Sequence, residues 1–363
     1  MDASGRVEID LGALARNYAT LAAAASPGRC AAVVKADAYG LGVAPIVRCL
    51  RAAGCRHYFV ATPAEGVQLR QLILDDQVFV LNGLQGSAPE EFIAAGLQPV
   101  LNTRAELRQW GSAGPAAVHI DSGMSRLGLS ADDVDSLRLE ADRAPEVDVR
   151  YVLTHLACAD EPGHALNRAQ LRSFNDLRQL WPAAKTSIGN SAGVLLGEGF
   201  RSDLARPGIA LYGGNPFRRE ISSIEPVVTV KARILQLRDI DAGSSIGYGA
   251  SFVAKGKMRV ATVGIGYADG YMRSLSNCGV VEVAGQRAPV VGRISMDLVC
   301  VDVTTLSRDA VSEGDWATMI GGSVSLEEVA ALAGTIDYEI LTTLGARLER
   351  IYLEDGHTGE ITS

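Results

Sequence analysis

The chain has 363 residues, 47% apolar and 21% charged, which is a globular and not a disordered composition. Its 42 acidic against 34 basic residues give a net charge of −8 with no basic run, so nucleic acid is excluded as an expected partner. No apolar stretch approaches the ~18 residues of a membrane span, the start MDASGRVEID has no secretory pattern, and six scattered cysteines and five dispersed histidines form neither a disulfide framework nor a zinc pattern. The expectation is a cytoplasmic chain with reduced thiols, no metal and no membrane partner.

In chain order, Asp10 reads as the N-cap of a helix with Leu11, Leu14, Tyr18 and Leu21 on one face. Strands are expected at 31–34, 58–61, 78–81, 99–102, 117–120, 149–153, 186–188 and 209–212. Most are continuous apolar runs, the pattern of strands buried on both faces. Helical segments lie between them. One spans 43–53 and closes at Gly54, one is capped by Ser130, and one carries Leu171, Phe174, Leu177 and Leu180. Eight strands alternating with helices predict an α/β fold, a (β/α)8 TIM-type barrel over residues 1–225. From 226 to 363 the pattern becomes a mostly-β C-terminal domain. Its strands are expected at 227–237, 260–265, 280–283, 289–291, 298–303 and 316–320, with a hairpin turn at 284–287. One late helix starts at Ser325, with Glu328 three residues on as a capping box.

Only five of the 34 basic residues are lysines, at positions 35, 185, 231, 255 and 257. A lysine in a special position therefore asks for a property arginine lacks, an amine that can lose its proton and react. Lys35 ends the first expected barrel strand, where burial would depress its pKa and make it a nucleophile or base. Pairing with Asp37 is the ordinary reading, and position alone leaves both open. Other polar sets follow other strands: Arg126 within 121–128, Thr154-His155, Gly189-Asn190-Ser191 and Arg206-Pro207-Gly208-Ile209. Ser191 and Gly208 suit an anion late in a barrel. The stretch 264–269 lacks a third glycine and opens no helix, which excludes a dinucleotide fingerprint. No nucleophile elbow or Walker loop occurs. A reactive lysine, a phosphate site and arginines at one barrel mouth point to pyridoxal 5'-phosphate held as a Schiff base. In the second domain Tyr248 lies between glycines, and Tyr267 and Tyr338 stand apart from it. For any one of these, an edge-strand aromatic is the ordinary reading.

The run Val34-Lys35-Ala36-Asp37-Ala38-Tyr39-Gly40-Leu41-Gly42 resembles the cofactor-lysine signature of bacterial alanine racemases. The resemblance continues in order through 121–128, 154–155, 190–192, 206–213, 247–250, 264–270, 291–297 and 338–339. It implies a fold-type III pyridoxal-phosphate enzyme, an N-terminal barrel with a C-terminal β domain, working as a head-to-tail homodimer on alanine. D-alanine would serve peptidoglycan, or alanine would be catabolised. By position, Lys35 would carry the cofactor. Tyr39, Ser191, Gly208, Ile209 and Tyr338 would bind its phosphate beside Asn190. Arg206 would face the pyridine nitrogen and Arg126 the phenolic oxygen. His155 would lie beside the ring. Tyr248, Met296 and Asp297 would come from the partner subunit, and Tyr267 would narrow the entrance. Arg273, Arg293, Asp160 and Ile336 align with the entrance corridor.

Racemisation removes a proton from one face of Cα and returns one to the other. Lys35 and Tyr248 would be the two bases, for the D and L enantiomers respectively. Where some family members carry a carbamylated lysine bracing the cofactor-facing arginine, this chain has His119. Another group or a bound anion is therefore expected to hold Arg126. A serine or broad-specificity racemase is the near alternative. A non-catalytic pyridoxal-phosphate-binding barrel is the alternative of another class, and it would not need Tyr248. A decarboxylase would want a carboxylate where this chain has Arg206.

Overall fold

The computed structural model describes residues 4–140, 146–217 and 223–354. Seven parallel strands stand in sequence order in one sheet: Ala32–Val33, His57–Val60, Gln77–Val80, Gln98–Leu101, Pro115–His119, Asp148–Leu153 and Lys185–Ser187. Helices Val43–Ala52, Pro63–Arg70, Pro89–Ala94, Arg104–Trp110, Ala131–Leu139 and Ala165–Leu177 connect them. His57–Val60 is buried at all four positions, as a parallel strand covered on both faces must be. Asp10 accepts from the Ala13 N–H at 2.8 Å and caps the helix Leu11–Ala25.

The expected strand at 209–212 is instead a 3₁₀ turn, Ile209–Tyr212. It is apolar and buried like its neighbours, but it lies between Gly208 and Gly213, and Leu211 N–H bonds back to Gly208 O at 2.9 Å. The place in the wall goes to the segment just before it. Leu204–Ala205 pairs in parallel with Arg29–Cys30. Ala31 and Val33 N–H donate to Ala205 and Pro207 O at 2.9 and 3.0 Å. On the other side Arg206 N–H donates to Gly189 O at 2.8 Å. This short segment links the first strand of the barrel to the last, which is how a barrel closes.

The chain divides into two units, Leu14–Glu225 and Met1–Ala13 with Pro226–Ser363. Residues 4–13, expected with the barrel, thus belong with the second unit. Gly5–Asp10 runs antiparallel to Val228–Ile240 and parallel to Glu349–Leu353. Its burial alternates, with Val7 and Ile9 inside, which suits a sheet solvated on one face and not a barrel wall. Glu8 pairs there with Lys231 at 2.8 Å. Val228–Ile240 is the long spine of this unit. It also pairs with Trp316–Ile320 and, beyond a shift in register after Ile234, with Met258–Val263. Val280–Val283 and Gln286–Pro289 form a hairpin through Ala284 and Gly285, both at positive φ. Ser325 caps the helix Leu326–Ala333, while the Glu328 carboxylate pairs with Arg287 and does not close the box.

Aromatic packing fills part of the barrel core. Phe59 stacks on Phe79 at 4.7 Å, and Tyr151 meets Phe79 edge-on at 5.6 Å. Both phenylalanines are buried. Phe79→Ala is expected to lose ~3–5 kcal/mol of stability in urea unfolding, and a loss below about 1 kcal/mol would contradict this packing.

Candidate active site

Lys35 follows the strand Ala32–Val33 and is half-buried. Burial, and then the charge of Arg126, hold its amine below the ordinary 10.5, with Glu65 acting the other way. The backbone after it is unusual. Ala36, Asp37, Ala38 and Tyr39 all have φ between 52° and 60°, a left-handed turn without glycine. Three side chains hold it. Glu65 Oε1 accepts from Ala36 N–H at 2.8 Å, while its Oε2 accepts from Ala61 and Thr62 N–H. Asp37 Oδ1 accepts from Val43 N–H at 2.7 Å. Tyr39 packs its ring 4.8 Å from that of Tyr212, whose hydroxyl donates to Val33 O at 2.8 Å.

Tyr39 reaches the segment that closes the barrel. A Cβ on Gly208 would fall 2.1 Å from Tyr39 Oη, so only glycine admits the tyrosine. Beside it Ser191 Oγ accepts from Gly208 N–H at 2.9 Å and Ala210 N–H at 3.3 Å, leaving its own hydroxyl proton to donate outward. Asn190 caps the short helix Ser191–Leu195 by accepting from Gly193 N–H at 2.9 Å. Ile209 follows Gly208 and is fully buried.

Arg206 is 4% exposed. Its guanidinium donates to Ser187 Oγ and Thr154 O, both at 2.6 Å, and lies 5.9 Å from the Phe59 ring centre. Among the described residues it forms no ion pair with a carboxylate. Burial pulls its pKa down to about 10. His155 follows Thr154 and is anchored at its carbonyl by Gln170 Nε2 at 2.9 Å. Burial, then the charges of Arg206 and Arg126, drive its pKa to about 3. His155 is therefore neutral at pH 7.

Arg126 is carried by the loop after Pro115–His119. Asp121 gathers that loop by accepting from Gly123, Met124 and Ser125 N–H at 2.8–3.1 Å. These bonds outweigh desolvation and keep its carboxyl below the usual value. No described residue hydrogen-bonds the Arg126 guanidinium. His119 turns aside to Asn102 Oδ1 at 2.8 Å, and burial and Arg206 lower its pKa to about 4. Glu106 fixes Asn102 through its backbone N–H at 2.7 Å, and holds Leu84 N–H at 2.8 Å. Arg126 thus acts electrostatically on Lys35, and Arg206, Arg126 and Lys35 act on His155, at one end of the barrel. Tyr39, Ser191 and Gly208 adjoin one another there.

The remaining expected residues lie in the second unit. Tyr248 sits at the tip of a hairpin formed by Ser245–Ile246 and Phe252–Val253 and is 72% exposed. Tyr267 and Met296 are on two exposed turns stitched together, with Tyr267 N–H to Ser295 O at 3.1 Å and Ala268 N–H to Met296 O at 3.0 Å. Asp297 shares Arg347 with the buried Asp269, each at 2.8 Å. Tyr338 is exposed in the first turn of the helix Asp337–Thr342. Sequence reasoning missed Glu65, Asn102 and Glu106. The signal for two of them was present, since Thr62 to Glu65 and Thr103 to Glu106 both read T-x-x-E.

A lysine with a lowered pKa among arginines at the end of a (β/α) barrel defines an enzyme-like site of the cofactor-binding kind. Comparison with known proteins identifies the family. Residues 9–216 match the model of the alanine racemase N-terminal domain and residues 227–352 that of the C-terminal domain. The chain belongs to the alanine racemase family. It is 44% identical over 362 residues to a protein of Agrobacterium fabrum named alanine racemase, catabolic, covering 98% of this chain and 93% of that one. It is 42% identical to alanine racemase of Brucella abortus, covering 97% and 94%. Among solved structures, alanine racemase from Bartonella henselae with covalently bound pyridoxal phosphate superposes with a TM-score of 0.92 at 40% identity, covering 97% of this chain and 100% of that one. The biosynthetic alanine racemase of Pseudomonas aeruginosa gives 0.88 at 33% identity, over 97% and 100%. Among the described residues no helix is long and apolar enough to cross a membrane.

The histidines set an acid limit. His57, buried and depressed to about 4 chiefly by its burial, joins His119 and His155 in staying neutral when folded. Unfolding frees each to take a proton below its ordinary 6.5, so the unfolded state binds more protons. Stability should fall steadily as the pH drops from about 6.5 toward 4. Urea titrations across that range check this, and His57→Leu should flatten the slope; an unchanged slope would show that His57 is not held neutral.

Proposed function

We propose that the chain is a pyridoxal-phosphate-dependent alanine racemase in which Lys35 and Tyr248 exchange protons with opposite faces of the substrate Cα. The observation that carries this reading is the amine of Lys35, held below its ordinary pKa at the barrel mouth beside Arg126. Relatives named alanine racemase along nearly the whole chain support it.

The barrel's own atoms fit the cofactor. Gly208, lacking a Cβ, admits the Tyr39 hydroxyl, and the Ser191 hydroxyl retains a proton to donate beside it. Both suit a phosphate, with Tyr39, Asn190 and Ile209 completing the cradle. Arg206 is a buried cation without a carboxylate partner among the described residues, so it suits an unprotonated ring nitrogen and opposes protonation there. Lys35 would hold the cofactor, and Arg126 would face its phenolic oxygen. When bound, pyridoxal phosphate accepts the electron pair left as the Cα–H bond breaks.

The protein handles the protons. From D-alanine, Lys35 Nζ takes the α-proton while Tyr248 Oη delivers one to the opposite face. From L-alanine the two groups exchange roles. Each turnover leaves the pair in the reverse protonation state, and proton exchange with solvent resets it. His155, neutral at working pH, can accept or donate a hydrogen bond without adding charge. Tyr248 would act in the site of a second copy in a head-to-tail homodimer, where Met296 and Asp297 accompany it and Tyr267 narrows the approach. Its exposure in the single chain supports that role. The cytoplasm, where the cofactor and free alanine meet, is the proposed location.

Purified protein should convert either enantiomer of alanine to the 1:1 mixture. Borohydride should fix the cofactor to the peptide containing Lys35. Tyr248→Phe should lose about 10²–10⁴-fold in racemisation yet still exchange the α-hydrogen of D-alanine with solvent. Failure to form D-alanine from the L enantiomer would refute the racemase reading. An unchanged rate in Tyr248→Phe would remove Tyr248 from the proton path.

A further inference from the structure

Tyr248 occupies a turn closed within itself by a single backbone bond, Ala250 N–H to Gly247 O at 3.3 Å. Gly247 and Gly249 both have φ of 70°, and Ala250 has φ of 46°. The hairpin below is only two residue pairs long. Its base is anchored by apolar contact, with Ile246 and Phe252 in a cluster with Val260 and Val291. Its tip has no such packing, and Tyr248 itself is exposed. The aim of its hydroxyl therefore depends on what fixes residues 247–251.

Two contacts do so. The first is Arg293. The open side of Gly247 faces Arg293 backbone atoms at 3.3 and 3.4 Å from an added Cβ, and that of Gly249 faces Arg293 Nη1 at 2.9 Å. The turn thus rests on the segment that goes on to Met296 and Asp297. The second is a side-chain amide. Asn277 Nδ2 donates to Ser251 Oγ at 3.3 Å, and Asn277 Oδ1 accepts from Gly292 N–H at 2.6 Å. Its neighbour Ser276 accepts from Ile294 N–H at 3.1 Å through its hydroxyl. Asn277 has φ of 62°, a conformation asparagine tolerates better than most residues. One amide therefore spans the gap between the turn bearing Tyr248 and the turn bearing Arg293.

We infer that Asn277 is a positioning residue for Tyr248, its amide locking the Tyr248 turn to the 292–297 turn so that both present one fixed surface. This rests on the proposal that Tyr248 moves a proton at the substrate Cα. Asn277 does not touch the reacting atoms. Its removal should loosen Tyr248 and leave Lys35 unaffected, because Lys35 is held within the barrel by Glu65 and the turn at 36–39.

That asymmetry gives the test. Each enantiomer of α-deuterated alanine is incubated with holoenzyme in water, and solvent exchange with retention is measured alongside inversion. Lys35 can exchange the α-hydrogen of D-alanine on its own face, but inversion needs Tyr248. Asn277→Ala should slow inversion about tenfold while D-alanine exchange with retention falls far less, since a displacement of ~1 Å is enough to impair a proton-transfer group. Exchange of L-alanine should fall together with inversion. Ser251→Ala removes one hydroxyl from the surface and should act in the same direction. The double variant should lose no more than the worse single one. Asn277→Asp should recover most of the rate, because one oxygen still accepts from Gly292 and the other can accept the Ser251 hydroxyl proton. A crystal structure of Ser251→Ala should show the 247–251 turn displaced and the barrel unmoved.

If inversion and exchange fall in equal proportion in Asn277→Ala, or if Ser251→Ala leaves both the ratio and the turn unchanged, the inference is overturned. A wild-type protein that fails to interconvert alanine would instead overturn the functional reading beneath it.

Discussion

The left-handed turn after Lys35 fixes the rest of the barrel's chemistry. Four residues with side chains, Ala36 through Tyr39, lie in a conformation costing ~1–2 kcal/mol each. Such a turn persists only where its surroundings hold it. Here a glutamate from the next βα unit, an aspartate within the turn and a buried pair of tyrosines supply the hold. Tyr39 then reaches Gly208, which no side chain could share with it. The lysine and the anion-suited end of the barrel are thereby set at a fixed spacing by a single strained turn.

Carboxylates do the corresponding work elsewhere on this rim. Glu65 and Glu106 each begin a helix and reach back to the loop of a preceding strand. Asp121 draws three backbone N–H groups around itself beneath Arg126. The rim is stiffened by hydrogen bonds to charged groups, the stronger kind. Arg126 and Arg206 remain without carboxylate partners among the described residues, and so stay available to an anionic ligand. The second unit is organised differently. Its expected functional residues sit on exposed turns joined by side-chain and backbone links, where Asn277 and Arg347 bridge segments far apart in sequence.

Much of the barrel was legible because its strands are buried on both faces and read as unbroken apolar runs. Lys35 stood out because this sequence uses arginine almost everywhere else. The errors have physical causes. Residues 209–212 are as apolar and buried as a strand, yet they coil into a 3₁₀ turn between glycines. Gly5–Asp10 adjoins the barrel in sequence but alternates in burial, and its partners lie more than 200 residues away, beyond the reach of local pattern. Nothing in Ala-Asp-Ala-Tyr suggests a left-handed turn, since intrinsic preference opposes it and tertiary contacts impose it. Glu65 and Glu106 were visible as capping signatures, but not as clamps on neighbouring loops. The clamp role depends on which strands are adjacent.

The central claim is that Lys35 and Tyr248 form a working pair supplied by two copies of the chain. Mixing two inactive variants tests it most directly. Lys35→Ala and Tyr248→Phe homodimers are each expected to be inactive. After dissociation and random reassociation in equal amounts, half the dimers are mixed, and each mixed dimer regains one intact site, restoring about a quarter of wild-type activity. Recovery near that level is the predicted result. No recovery despite demonstrated subunit exchange would place both groups within one chain and contradict the account.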